Sequence, residues 1–242
     1  MIYLKVKIIL VISSLCSVTC NKNTINFKSR NARAYSIISE ILSILREVPL
    51  GKHELAAGLR LREAMFINGV LTNSEVWYGI KNEEIQLLQE ADEYLLRKLL
   101  KAHSKTAKEC LYLETGTIPI KNVIMSRRLN YLHHIITRDN DELISRVYVA
   151  QKRKPVKDDW VVTIENDKLS LGIKENDEIL KKFSKNKFKK FIKQKIRYLT
   201  FYELQQIQKG HSKVNQIVYN KFTIQNYLKS DTFSYKEMCF IF

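Results

Sequence analysis

Two pairs of adjacent residues in this sequence could do chemistry. His133 and His134 are neighbouring histidines, and Asp158 and Asp159 are neighbouring carboxylates. Adjacent side chains on a helix point about 100° apart, so the two histidines cannot easily share one metal ion. No Glu-x-x-His or His-Glu-x-x-His pattern surrounds them. We therefore expect one histidine to pack against an adjacent helix and the other to reach solvent.

The aspartate pair invites comparison with the carboxylates of two-metal phosphoryl transfer. That chemistry needs carboxylates on a rigid scaffold, usually with a third one nearby. Here the pair follows KRKPVK and precedes Trp160, which is the pattern of a loop entering a helix. Helix capping is the better interpretation. Since no nucleophile–base pair or metal cluster occurs elsewhere, the sequence predicts no catalytic residues, no metal site, no cofactor and no enzyme activity.

The four cysteines are scattered, at Cys16, Cys20, Cys110 and Cys239. Structural zinc needs about four soft ligands at close spacing, and no CxxC pair with a histidine pair is present. Cys16 and Cys20 also lie in or beside an apolar run. We expect neither a zinc site nor a disulfide scaffold.

Positive charge is the strongest compositional feature. The net charge is +16, and residues 174–213 carry twelve lysines or arginines against four acids. Such an excess favours polyanionic partners, either nucleic acid or an anionic membrane surface. The alternative is a proteome that is simply rich in lysine. We expect no small-molecule substrate.

Aromatic residues alternate with lysines in residues 181–197. Phe183, Phe188 and Phe191 could stack on unpaired bases while the lysines neutralise phosphates. Their helical spacing favours the other interpretation, a buried aromatic stripe with the lysines outside. Either arrangement would attract phosphate. The candidate nucleic-acid-binding residues are Lys121, Arg127, Arg128, Lys181, Lys182, Lys185, Lys187, Lys189, Lys190, Lys193, Lys195 and Arg197.

The elements that must position these residues are helices. Apolar residues recur at steps of three and four, and only seven glycines and three prolines interrupt them. The fold class predicted is mainly α, an irregular helical bundle followed by a basic helical extension. The expected divisions are a hydrophobic leader (1–20), a linker (21–31), a helical bundle (32–150), a basic helical connector (151–220) and a poorly ordered tail (221–242).

Capping chemistry predicts several helix boundaries. Thr106 and Glu109 match a capping box, and Gly116 is a natural helix stop. Asp139 is expected to cap the helix that follows it. Asp158 or Asp159 is expected to cap the helix that begins near Trp160.

The first twenty residues have the shape of a secretory signal peptide. Lys5 and Lys7 precede an apolar run at 8–18, which is shorter than the roughly 20 residues that span a bilayer. A core helix or strand is the alternative. An intracellular location, in nucleus or cytoplasm, is favoured. Secretion is expected if residues 1–20 act as a signal peptide, and membrane contact only if this leader is retained.

Two stretches, LREAMFINGVLTNSEVWYGI and HSKTAKECLYLETGTIPIKNVIMSRRLNYLHHI, carry a family resemblance. They resemble the region after the catalytic palm in reverse transcriptases of non-LTR (LINE-like) retrotransposons. The likeness runs over about residues 32–227. It implies a helical thumb and connector that hold a template–primer duplex of RNA, DNA or an RNA–DNA hybrid.

The departures from that family matter as much as the likeness. The aromatic-x-Asp-Asp motif of the palm is absent, and so is the cysteine-rich knuckle expected downstream. The resemblance therefore implies a catalytically inactive fragment that retains nucleic-acid binding without sequence specificity. The alternatives are a secreted or membrane-associated helical protein, or a remnant without function.

Overall fold

A computed structural model describes residues 23–47, 53–211 and 214–228 of this chain. Within these ranges the chain is mostly helical and contains no strand, which confirms the mainly α fold. The helices are α1 (Asn23–Glu47), α2 (Glu54–Leu61), α3 (Asn82–Leu100), α4 (Lys108–Thr115), α5 (Ile120–Ile136), α6 (Leu143–Arg153), α7 (Trp160–Ser170), α8 (Asp177–Lys181) and α9 (Lys185–Lys209).

Helix α2 runs on into a π-helical turn, Arg62–Ile67, and a short turn, Asn68–Val70. Two 3₁₀ turns lie at Ser74–Val76 and Asn226–Leu228. Gly69 allows α1 to approach closely here, since a Cβ atom at this position would lie 2.9 Å from Ile37 Cδ1.

Helix α1 begins at Asn23, so residues 23–31 are helical and the linker predicted at 21–31 is wrong over this part. Phe27 is buried, and its ring meets Trp77 edge-on with centroids 5.3 Å apart. Arg30 donates to the Val70 carbonyl at 2.9 Å and lies over the Trp77 ring. The polar composition of this segment hid the contribution of Phe27, whose buried ring helps to anchor it.

Helix α5 is the centre of the fold. It packs against α3, α6, α7, α8, α9 and the turn Ser74–Val76. One core cluster joins α1 to α3, and a second lies between α5 and the helices that follow it. The second cluster includes Leu132, Tyr148 and Ile192. It therefore joins the predicted bundle to the predicted connector.

Two helix boundaries follow the predicted chemistry. The Asp159 carboxylate accepts from the Trp160 amide at 2.6 Å at the start of α7. Gly116 ends α4 in the left-handed conformation, at φ 62°. The capping interpretation of this aspartate and the helix stop at Gly116 are confirmed.

Two other predicted caps are wrong. Helix α4 starts after Ala107, so Thr106 and Glu109 form no capping box; Glu109 instead lies 3.4 Å from His211 Nε2. Helix α6 is preceded by Glu142, whose amide donates to the Asp139 carbonyl at 3.1 Å. A turn therefore stands between Asp139 and the helix.

The beginning of the predicted tail is packed. Tyr219 and Phe222 are buried, and Tyr219 Oη donates to Glu114 Oε1 at 2.7 Å. The Gln225 amide donates to the Glu114 carbonyl at 3.0 Å. Phe222 and Gln225 of the predicted tail thus contact the helices, and the expectation of poor order for residues 221–242 stays a prediction. Residues 229–242 and the leader at 1–20 lie outside the described residues.

Candidate nucleic-acid interface

Seven exposed lysines lie close together in sequence at the end of α8 and in the first turns of α9. We call them the basic surface: Lys181, Lys182, Lys185, Lys187, Lys189, Lys190 and Lys193. No acidic residue occurs between Glu178 and Glu203. Within the described part of the chain, none of the seven forms a salt bridge. Their charge is therefore not neutralised by described carboxylates.

The orientation of α9 is set by its apolar stripe. Phe188, Ile192 and Ile196 are each at most 1% exposed and belong to the core cluster around α5. Phe183 and Phe191 are half-buried and pack against the same cluster. The buried-stripe interpretation of these aromatics is confirmed, and the lysines between them point outward.

The first turn of α9 places positive charge where a helix disfavours it. Ser184 caps the helix by accepting from the Lys187 amide at 3.4 Å, and the first turn contains no acid. Lys185 and Lys187 instead add to the partial positive charge of the helix N-terminus. The arrangement weakens the helix locally and concentrates positive potential, which suits an anionic ligand.

The adjacent histidines have the separate roles predicted for them. His133 is buried, and its ring stacks on Phe188 with centroids 4.3 Å apart. Its Nε2 lies 3.0 Å from the Phe183 carbonyl, which can only accept, so Nε2 carries the proton. His134 is exposed beside Arg138. His133 thus fixes the start of α9 against α5.

Lys195 and Arg197 are half-buried and contribute to packing. Lys195 Nζ lies over the Phe191 ring, 5.7 Å from its centroid. The Arg197 guanidinium lies over Phe222, 5.1 Å from the ring centroid, and donates to the Phe222 carbonyl. These two side chains belong to the edge of the candidate site and not to its exposed part.

Arg128 does not belong to the candidate surface. It is buried and forms two hydrogen bonds to the Asp167 carboxylate, at 2.7 and 2.9 Å. Arg127 donates to the Leu71 carbonyl at 2.6 Å and to Asn68 Oδ1 at 2.8 Å. Both guanidinium groups stabilise the fold. The prediction that they attract phosphate is wrong for the buried Arg128, and it stays a prediction for the half-buried Arg127.

Lys121 is exposed but lies at the other end of α5. Asn122 Nδ2 donates to Thr200 Oγ1 at 2.8 Å, whereas His133 meets Phe188, so α5 and α9 are antiparallel. The twelve residues from Phe188 to Thr200 span about 18 Å of helix. Lys121 is therefore separate from the basic surface.

Lys121 lines a cavity of about 390 Å³ between α3, α4, α5 and α9. Glu93, Glu109 and Glu203 line the same cavity, together with Lys108. Burial raises the pKa of Glu93, although Lys108 opposes the shift. Three carboxylates that line one cavity disfavour the binding of a phosphate group there. The cavity is a different kind of site from the basic surface.

Two side chains near the basic surface were not singled out from the sequence. Tyr198 and Tyr202 are 74% and 55% exposed on the outer side of α9. They follow Lys187, Phe191 and Lys195 at helical steps of three and four. The spacing alone did not establish their exposure, because Phe191 and Lys195 on the same line of the helix are half-buried.

Comparisons with known proteins identify no relative. A scan against protein-family models found no match, and searches of curated proteins and solved structures found no significant one. Among the described residues, no three histidines, cysteines or acids are grouped so that they could hold a metal ion. None of the helices in the described ranges is long and apolar enough to cross a membrane.

Proposed function

We propose that this chain binds nucleic acid through the phosphate backbone, without sequence specificity. The observation that supports the proposal best is the basic surface: seven exposed lysines on an acid-free stretch, held outward by Phe188 and Ile192. Lysines that neutralise phosphates release condensed counterions, and this release favours binding whatever the base sequence.

We also propose an evolutionary origin for this chain. We infer that the chain is a catalytically inactive derivative of the thumb and connector that follow the palm of a non-LTR retrotransposon reverse transcriptase. The sequence likeness over residues 32–227 supports this origin, and an all-helical body agrees with it. RNA, DNA and RNA–DNA hybrids are the partners to test first.

Nothing in the described residues favours catalysis. Asp159 of the aspartate pair caps α7, and the buried histidine packs on a phenylalanine ring. We therefore propose that binding is the whole activity. Incubation with a primed template, Mg²⁺ and nucleotides should yield no extended product; extension would show that an active site exists.

The direct test is a salt titration of the full chain with fluorescently labelled RNA–DNA hybrids. Affinity should fall steeply and linearly, on logarithmic axes, as salt rises from about 50 to about 200 mM. A second hybrid with scrambled sequence is the control and should give the same line. Absence of binding at low salt, or a large difference between the two sequences, would contradict the proposal.

A further inference from the structure

Two exposed tyrosines follow the basic surface along α9 and offer aromatic rings to a ligand. Tyr198 and Tyr202 lie one turn apart, about 6 Å along the helix axis. No stacking contact with another described ring involves either of them. Both rings are open to solvent, and they lie on the same line of α9 as Lys187 and Lys195.

A ring face of this kind can bind only a base that is not already paired and stacked in a duplex. Proteins that bind single strands combine a positive track for the backbone with aromatic rings for successive bases. Tyrosine offers a large rigid ring that loses little conformational entropy on binding. Lys187, Lys195 and the two tyrosines follow one line over about 22 Å of α9.

The packing of α9 keeps these rings outward. Thr200, between the two tyrosines, is fully buried, and Asn122 donates to its hydroxyl at 2.8 Å. Leu204 is buried one turn further on. Because Thr200 must face α5, Tyr198 and Tyr202 must face away from it.

We propose that the ligand of α9 is an unpaired strand, with its phosphates along Lys187 and Lys195 and two bases stacked on Tyr198 and Tyr202. This inference rests on the proposed function, because the lysines supply the attraction that brings the strand to the rings. Stacking is common to RNA and DNA, so the rings select for unpaired bases and not for the sugar.

The test compares protein variants and ligand variants together. The ligands are labelled oligothymidine, oligouridine, an abasic strand of the same length, and a blunt DNA duplex. The proteins are the natural chain, Y198A/Y202A and Y198F/Y202F. Far-ultraviolet circular dichroism checks that each variant keeps its helices.

We expect Y198A/Y202A to bind oligothymidine and oligouridine at least about 10-fold more weakly than the natural chain, whereas Y198F/Y202F binds them nearly as well. Affinity for the abasic strand and the duplex should change little, since these ligands offer no free base. The matched control is Y35A/Y94A, which removes two exposed rings that pack on each other 5.8 Å apart on α1 and α3. It should leave all affinities unchanged.

The outcomes separate this inference from the proposed function. If Y198A/Y202A binds every ligand as the natural chain does, stacking is refuted while phosphate binding stands. An equal loss on the abasic strand and on oligothymidine also refutes stacking. If the natural chain binds none of the four ligands at low salt, both proposals fail.

Discussion

The imidazole of His133 stacks on the ring of Phe188 with their centroids 4.3 Å apart and their planes within 19° of parallel. The contact joins the end of α5 to the start of α9. Phe188 lies between Lys187 and Lys189 in the sequence, so the contact helps to fix the direction of these two lysines.

Acid should loosen this contact. Burial lowers the pKa of His133 from its ordinary value of 6.5, although the hydrogen bond to the Phe183 carbonyl opposes the shift. Below about pH 6.5 the unfolded chain therefore binds a proton that the folded chain does not, and stability is lost as the pH falls. Urea unfolding near pH 7 and near pH 5.5 should show a lower free energy of unfolding in acid.

Two single variants isolate that effect from other titrating groups. His133→Gln removes the titrating ring, so its loss of stability between the two pH values should be smaller than in the natural chain. His134→Gln removes an exposed neighbour whose charge makes the smaller contribution to lowering the pKa of His133, so this variant should keep most of the loss. Identical pH dependence in all three proteins would show that His133 is not the responsible group.

Substitution of two glycines, Gly116 and Gly172, tests how the segment around Thr223 is held against the helices. Gly116 and Gly172 have nearly the same positive φ, 62° and 61°, but differ in surroundings. A Cβ atom on Gly116 would lie 2.5 Å from Thr223 Cα, whereas nothing lies within 4 Å of one on Gly172. We expect Gly172→Ala to cost about 1 kcal/mol of stability. Gly116→Ala should cost about 1–3 kcal/mol more by overpacking.

Chemical denaturation of both variants measures this difference. Equal losses would mean that the segment around Thr223 does not rest on the turn at Gly116.

A buried ion pair links the π-helical turn to α3. Arg62 Nε and Nη2 donate to the two oxygens of Asp92 at 2.6 and 2.7 Å, and Tyr112 Oη donates at 3.0 Å. Asp92→Asn leaves a buried guanidinium without its counter-charge, and should lower stability by about 3–5 kcal/mol.

Replacing both partners tests the cause of that loss. Arg62→Met combined with Asp92→Leu removes the pair without stranding a charge, although the Tyr112 hydroxyl loses its acceptor, and should recover part of the stability in urea unfolding. If the double variant is as unstable as Asp92→Asn, shape complementarity and not charge pairing holds this site together.

The lysines at the start of α9 should lower the stability of the fold and raise its affinity for nucleic acid. Lys185→Gln with Lys187→Gln relieves repulsion with the helix N-terminus, so thermal or urea unfolding should show roughly 0.3–1 kcal/mol more stability. The same variant should bind an RNA–DNA hybrid more weakly. A drop in both quantities would show that these lysines serve the fold.

Local sequence patterns predicted the helices and their buried sides. They could not predict contacts between residues that lie far apart in the sequence. The spacing of Phe188 and Ile192 predicted the buried side of α9 and therefore the exposed lysines. Arg128 could not be assigned in this way, because its partner Asp167 is 39 residues away and only the tertiary fold joins them. Phe27 was missed because its apolar contact, Trp77, is even more remote in sequence.

The central claim is that the lysines of α9 themselves contact phosphates. Its most direct test is the salt slope of hybrid binding for K189Q/K190Q/K193Q, with K28Q/R33Q/R46Q on α1 as a control that loses the same charge from exposed positions. We predict that the α9 variant binds more weakly and that its slope falls by about one for each lysine removed, whereas the control keeps the natural slope. An unchanged slope in the α9 variant, or an equal fall in the control, would contradict the claim.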